Sequence, residues 1–114
     1  MNQNNQKKVA VLGAGSWGTA LASLLAKKGI SVRLWGRVED GILEVQQNRE
    51  NRFFLPGIRL PDSLEATDRM ELALDGVCAV VLSVPAQAVR GVIRQYRSQL
   101  AGLDSSAIII NTAK

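Results

Sequence analysis

Residues 9–18 have the sequence Val-Ala-Val-Leu-Gly-Ala-Gly-Ser-Trp-Gly, in which an apolar run ends in a glycine-rich turn that leads into a helical pattern. Gly13, Gly15 and Gly18 have the spacing G-x-G-x-x-G. In such a motif the first glycine allows a tight turn, the second leaves room for a pyrophosphate, and the third lets the helix pack closely on the strand. The free N–H groups at the helix start favour phosphate. The motif predicts a dinucleotide site, and the alternative is a plain strand–helix turn.

The residues after the motif complete a β-α-β unit. Lys27 and Lys28 followed by Gly29 are typical of a helix end, and residues 30–35 alternate as a second strand, so we expect two parallel strands with a right-handed crossover. The apolar positions that recur every three or four residues predict the buried helix face: Trp17, Ala20, Leu21, Leu24 and Leu25.

Helix and strand patterns alternate along the rest of the chain. The predicted elements, in order, are a helix over 38–48, an irregular loop over 48–63 docked by Phe53 and Phe54, a weak strand over 64–67, a short helix capped by Asp68, a strand over 77–84 covered on both faces, a helix over 86–100 that begins at Pro85, and a buried strand over 107–110. This order predicts the α/β class: a Rossmann-like, doubly wound, mainly parallel sheet in a single domain over residues 1–114.

Composition narrows the function classes. The 114 residues are 46% hydrophobic and 21% charged, as in an ordinary globular domain. No apolar run reaches the roughly 20 residues that span a bilayer, and the polar start lacks the apolar core of a signal peptide, so we expect no membrane insertion. The chain has no histidine and one cysteine, Cys78, which excludes a His/Cys metal site. We expect Cys78 to be buried and the location to be cytoplasmic.

The net charge of +4 is scattered along the chain, and it favours a solvated surface first and a small phosphate ligand second. Arg90, Arg94 and Arg97 share one helical face and could follow a nucleic-acid backbone. No aromatic residues are interleaved with them, so we interpret them as the polar side of an amphipathic helix and expect no nucleic-acid partner.

Ligands of open parallel sheets bind outside the carboxyl ends of the strands, which here are residues 13–18, 36–37, 83–85 and 111–114. An NAD site usually places Asp or Glu at the second of these positions, whereas this chain has Gly36 and Arg37. The planar fork of arginine can pair with a 2′-phosphate, so NADP is allowed. Glu39 and Asp40 follow just beyond in the sequence and could still reach a ribose hydroxyl, and a surface role for Arg37 stays open.

Five ordered blocks resemble bacterial NAD(P)-dependent glycerol-3-phosphate dehydrogenases and cover almost the whole chain: residues 13–22, 34–37, 51–58, 84–90 and 111–114. The resemblance implies hydride transfer between NAD(P)H and dihydroxyacetone phosphate, a small-molecule phosphate substrate, to give sn-glycerol 3-phosphate for phospholipid synthesis. Ser16, Trp17 and Arg37 match the cofactor contacts of that family, and Lys114 matches a lysine that touches both cofactor and substrate. Lys114 could equally be a surface lysine. The cofactor-binding set that we expect, for NADP or NAD, is Gly13, Gly15, Ser16, Trp17, Gly18, Arg37, Pro85 and Lys114, with no catalytic residue.

The departure from the family is length, because the family carries a second, helical domain with the proton-donating lysine. The chain is therefore expected to be the cofactor half, without turnover by itself, and a homodimer is allowed for the full-length protein. Two alternatives stay open: another dehydrogenase of the same superfamily, and an NAD(P)-binding module that catalyses nothing.

Overall fold

The computed structural model describes residues 7–112, and its elements are those of an α/β fold. The strands are β1 (Lys8–Leu12), β2 (Ser31–Trp35), β3 (Glu50–Asn51), β4 (Leu55–Arg59), β5 (Leu64–Thr67), β6 (Ala79–Leu82) and β7 (Ile108–Asn111). The helices are α1 (Ser16–Lys27), α2 (Ile42–Asn48), α3 (Met70–Ala73), α4 (Ala86–Gln95) and α5 (Arg97–Ala101), and a short 3-10 turn covers Val38–Asp40.

Five strands form one parallel sheet in the order β5-β2-β1-β6-β7. The chain runs outward from β1 to β5 on one side and then returns to build β6 and β7 on the other. This reversal of strand order beside β1 is the doubly wound pattern. The predicted Rossmann-like class is confirmed.

The strands of the sheet centre are buried on both faces. Along β1, Val9 and Val11 pack in the hydrophobic cluster that includes Ala22 and Ala26 of α1, while Ala10 and Leu12 pack in a second cluster on the opposite face. Successive side chains of a strand point to opposite faces, so one apolar run serves two cores. This arrangement holds the carboxyl ends of β1, β2 and β6 in a row.

The buried face of α1 differs from the predicted one. Its buried residues are Gly18, Thr19, Ala22, Ser23 and Ala26, whereas Trp17 is 58% and Leu24 is 53% exposed. Small side chains let the helix lie close to the sheet, and this close packing prevails over the pattern of large apolar residues. The prediction that Trp17 and Leu24 are core residues was wrong.

The loop predicted over 48–63 contains a second, two-stranded sheet. Strands β3 and β4 pair antiparallel, with Asn51 opposite Leu55. Phe53, at the tip, is 85% exposed and its ring meets Phe54 edge-on at 5.3 Å. The expectation of a loop docked by both aromatics was wrong for Phe53.

The region around the predicted helix 38–48 is divided by Gly41, whose φ of 84° separates the 3-10 turn from α2. Asp68 does not cap α3: the residue before that helix is Arg69, whose N–H donates to Thr67 Oγ1 at 3.1 Å. The predicted helix 86–100 is interrupted at Tyr96, and Pro85 lies one residue before α4.

Two parts of the chain that were predicted to be buried, Cys78 and the last strand, are exposed. Cys78 is exposed because it precedes β6 at the amino edge of the sheet, although its backbone pairs with Lys8 and Ile108. The residues of β7 are exposed as well, with Ile108 at 62%, whereas β5, the strand at the other edge of the same sheet, is mostly buried. Within residues 7–112, no helix combines the length and apolar character that a membrane span requires.

Candidate functional site

The glycine turn after β1 is shaped by close contact with the end of β6. Gly13 has a φ of 122°, and a Cβ atom there would lie 2.7 Å from Val84 N and 2.9 Å from the carbonyl carbon of Ser83. Both the backbone conformation and the space exclude a side chain. The tight turn that the first glycine of the motif predicts is therefore present.

Gly18 brings the first turn of α1 against the same point. A Cβ atom on Gly18 would collide with the carbonyl oxygen of Gly13 and approach Ser83 Oγ to 2.5 Å. Ser83 Oγ lies 2.9 Å from the Gly13 carbonyl oxygen and 3.1 Å from that of Leu12. The Leu12 carbonyl also accepts the backbone N–H of Ser83 at 2.9 Å, so the hydroxyl serves chiefly to pair the Gly13 carbonyl inside the turn. The close helix–strand packing predicted for the third glycine is confirmed.

Gly15 occupies a different environment. Apart from Gly15 itself and its two chain neighbours, no residue places a heavy atom within 4 Å of the position that a Cβ atom would take, and its φ of −76° is one that any residue adopts. Gly15 is the residue that precedes α1, and that helix start has neither a side-chain cap nor an acidic residue in its first turn. The first N–H groups of a helix have no intrahelical acceptor, so this end suits an anion.

A cavity of about 820 Å³ opens in front of this helix end. Its walls come from the glycine turn, the tips of β2 and β6, the hairpin residue Phe54 and one side of α4. Of the predicted set, the residues that line the cavity are Gly13, Gly15, Ser16, Trp17, Arg37 and Pro85. Gly18 supports the turn from behind, and Lys114 lies outside the described residues.

Arg37 follows β2 and is already paired. Its Nε lies 2.9 Å from Asp40 Oδ2, and its Nη2 lies 3.3 Å from Asp40 Oδ1. The hydrogen bond that Arg37 donates to Asp40, followed by the charge of that carboxylate, raises the pKa of Arg37 above its ordinary value. Arg37 therefore stays a cation, and its fork already holds a carboxylate at the cavity edge.

Gly36 permits a close approach at this edge. A Cβ atom on it would lie 2.9 Å from the Ala14 Cβ and 3.1 Å from Ile42 Cδ1. The tip of β2 can therefore lie against the glycine turn, and Gly13 N donates to the carbonyl of Trp35 at 2.8 Å. This contact joins the two tips into one rim.

Asn51 is a site residue that sequence reasoning missed. Its side chain is buried, and Nδ2 donates to the Ala14 carbonyl and to Thr19 Oγ1, each at 2.9 Å. Its Oδ1 accepts from the Phe54 N–H at 3.2 Å, and Ser16 Oγ donates to the Phe54 carbonyl at 2.7 Å. These bonds fasten the hairpin to the glycine turn and set Phe54 at the cavity mouth.

The opposite wall is aromatic and was also missed. Trp35 meets Tyr96 edge-on, with ring centroids 5.3 Å apart, and its Nε1 donates to the Asp68 carbonyl at 3.0 Å. Both rings line the cavity. Residue 35 belongs to a predicted strand and residue 96 to a predicted helix. No local sequence pattern links the two, so their contact could not be predicted.

The lining favours binding over acid–base chemistry. The walls of the cleft are largely apolar, and backbone N–H groups and Arg37 provide polar recognition at its rim. This combination is usual for cofactor sites. Within residues 7–112 there is no group of three or more His, Cys, Asp or Glu side chains that could hold a metal ion.

Comparisons with known proteins agree with this geometry. Residues 8–114 match the family described as NAD-dependent glycerol-3-phosphate dehydrogenase N-terminus. The chain is 52% identical over 107 residues to the glycerol-3-phosphate dehydrogenase (NAD(P)+) of Syntrophomonas wolfei, which is 94% of this chain and 30% of that protein. The homologue of Geobacillus kaustophilus is 52% identical over 95 residues, 83% of this chain and 28% of that protein.

Among solved structures, the glycerol-3-phosphate dehydrogenase of Coxiella burnetii superposes with a TM-score of 0.87 at 37% identity, covering 96% of this chain and 33% of that one. The chain thus spans about a third of the length of the relatives that it matches.

Proposed function

The chain belongs to the family of NAD-dependent glycerol-3-phosphate dehydrogenase N-termini, and on that premise we propose that its cavity binds NAD or NADP. The observation that carries the proposal is the open space at Gly15, in front of the uncapped start of α1. Two linked phosphates need that space and gain from the N–H groups and dipole behind it. The residues present therefore fit the cofactor.

Each part of the predicted set has a role in this proposal. The backbone from Gly13 to Gly18, including Ser16 and Trp17, surrounds the pyrophosphate. Arg37 lies where the second strand of such folds meets the ribose, and Pro85 borders the opposite side of the cleft. Lys114, by its resemblance to the family, contacts both cofactor and substrate.

We propose that the whole protein transfers a hydride between NAD(P)H and dihydroxyacetone phosphate, with sn-glycerol 3-phosphate as the product used in phospholipid synthesis. When bound, the dinucleotide supplies the hydride. The residues of this chain bind and orient the dinucleotide, because they provide hydrogen-bond donors and the apolar walls of the cavity. Residues 1–114 form the cofactor-binding domain, and the proton-donating lysine belongs to the second, helical domain of the family. We therefore expect dinucleotide binding without turnover from residues 1–114 alone.

Isothermal titration of the 114-residue chain with NADH and with NADPH tests the binding proposal. We expect a one-to-one complex with at least one of them. Nicotinamide alone, which has no phosphate groups, should give no binding heat at equal concentration, because the phosphates provide the main contact. An absence of binding for both dinucleotides would contradict the proposal.

The activity is tested in the whole protein by the loss of NAD(P)H absorbance on addition of dihydroxyacetone phosphate. A keto acid without a phosphate group serves as the control substrate. Oxidation with the keto acid and not with dihydroxyacetone phosphate would favour another dehydrogenase of the same superfamily.

Three further proposals accompany this function. The lone cysteine favours a cytoplasmic location, and cell fractionation tests it. The proposed partner is a small-molecule substrate and not a nucleic acid. Nucleic-acid binding assays at low salt, where phosphate contacts are strongest, test this proposal. A homodimer of the full-length protein is testable by light scattering.

A further inference from the structure

The pairing of Arg37 with Asp40 is built into the local backbone. The 3-10 turn over Val38–Asp40 begins where Asp40 N–H donates to the Arg37 carbonyl at 3.0 Å, and it ends at Gly41, whose φ is 84°. Side chains three residues apart lie above one another in such a turn. The carboxylate therefore faces the guanidinium before any ligand arrives.

The bonds to Asp40 occupy one full edge of the guanidinium. Nε and Nη2 both face the carboxylate, and these two atoms form one of the edges through which arginine binds a phosphate in bidentate fashion. Both side chains line the cavity and remain partly exposed, Arg37 at 60% and Asp40 at 38%. A phosphate that approaches this edge finds both N–H donors already bonded to Asp40, and the negative charge of that carboxylate repels it.

Building on the proposed dinucleotide binding, we propose that Asp40 is a specificity-determining residue, which competes with the 2′-phosphate of NADP for the donor edge of Arg37. NAD lacks that phosphate, so it leaves the Arg37–Asp40 pair intact. Asp40 thereby narrows the preference for NADP that Arg37 alone would give, and the site accepts both cofactors.

Glu39 provides a matched control. It carries the same charge, lies one residue earlier and also lines the cavity. Within the described part of the chain, the ion pair of Arg37 is with Asp40 and not with Glu39. Glu39→Gln therefore removes a nearby negative charge and leaves the paired edge in place.

The test compares the dissociation constants of NADH and NADPH for the unchanged chain, Asp40→Asn and Glu39→Gln by isothermal titration. Because exposed ion pairs are weak, we expect Asp40→Asn to shift the ratio of the constants towards NADPH by about two- to fivefold. Glu39→Gln should shift it by less than half as much. An unchanged ratio in Asp40→Asn, or an equal shift in both variants, would overturn the proposal while dinucleotide binding itself stands.

A second measurement separates competition for Arg37 from direct repulsion. In the Arg37→Ala background, competition predicts that Asp40→Asn loses its effect on the ratio. If the same shift persists there, the carboxylate acts on the phosphate directly and the proposed competition is wrong. If the unchanged chain binds neither dinucleotide, the proposed function itself fails, which the titration of that chain alone reveals.

Discussion

Asn51 Nδ2 lies 2.9 Å from the carbonyl oxygen of Ala14, although the two residues are 37 positions apart. The bond joins the β3–β4 hairpin to the middle of the glycine turn. Because Asn51 is 1% exposed and also bonds Thr19 and Phe54, the shape of the turn depends on a segment outside the main sheet.

Asn51→Ala is expected to lower the free energy of unfolding by about 1–3 kcal/mol, because buried polar groups lose their partner. Urea denaturation followed by circular dichroism measures this loss. The exposed Asn48→Ala, at the end of α2, is the control and should change the free energy by less than about 0.5 kcal/mol. Equal effects of the two substitutions would show that the Asn51 bonds add nothing to stability.

Gly15→Val is expected to abolish dinucleotide binding while the chain stays folded. The backbone at Gly15 is extended and a Cβ atom there meets no neighbour, so valine fits the fold but fills the space proposed for the pyrophosphate. Titration with NADH and NADPH measures binding, and circular dichroism checks the fold. Gly102→Ala, outside the cavity lining, should bind normally. Retained binding in Gly15→Val would place the phosphates elsewhere.

Gly13→Ala and Gly91→Ala should change stability in opposite directions. Gly13 has a φ of 122° and no room for a Cβ atom, so alanine there should cost about 2–5 kcal/mol. Gly91 lies inside α4 with open space around it, so alanine should stabilise by about 0.5–1 kcal/mol. Thermal unfolding of both variants checks the contrast, which a stable Gly13→Ala would refute.

Arg37→Ala should weaken NADPH binding by about tenfold, because hydrogen bonds between charged groups are the strong ones. NADH, which has no 2′-phosphate, should lose much less. The ratio of the two dissociation constants is the readout, with Arg90→Ala on α4 as a control of equal charge. Equal losses for both dinucleotides would mean that Arg37 does not contact the 2′-phosphate.

Asp104 gives a pH-dependent prediction. Hydrogen bonds from Ser106, first from its hydroxyl at 2.7 Å and then from its backbone, hold the pKa of Asp104 below its ordinary value. The lowered pKa means that the folded state binds fewer protons than the unfolded state. The contribution to stability is present above the unfolded pKa and disappears as pH falls through the folded pKa. Ser106→Ala should raise the pKa of Asp104 in an NMR titration of its carboxyl carbon, whereas Ser105→Ala should change it less.

The sequence predicted what local spacing determines. The G-x-G-x-x-G turn, the β-α-β unit and the doubly wound fold class all follow from periodicity and from the behaviour of glycine at a turn. The cavity position also followed, because the carboxyl ends of parallel strands share one edge.

The errors arose where contacts between residues far apart in the sequence determine the structure. Asn51 acts on Ala14 through a hairpin whose first strand has two residues, too short to give a periodic pattern. The buried face of α1 is set by Thr19, Ala22 and Ala26 because close packing on the sheet favours small side chains. Ile108 is exposed although its strand is apolar, because the coverage of the two faces of a strand depends on distant elements that its own sequence does not reveal.

The two tryptophans of the chain differ in their surroundings, since Trp17 is 58% exposed at the cavity rim and Trp35 is 4% exposed beneath it. Exposed indole emits at longer wavelength than buried indole, so the emission spectrum of the chain combines two bands. Quenching of the long-wavelength band reports a molecule that arrives at the rim, and a red shift of the other reports loss of the core. Trp17 is thus the optical reporter at the rim, whereas Trp35, whose ring also lines the cavity, responds both to an occupant and to loss of the core.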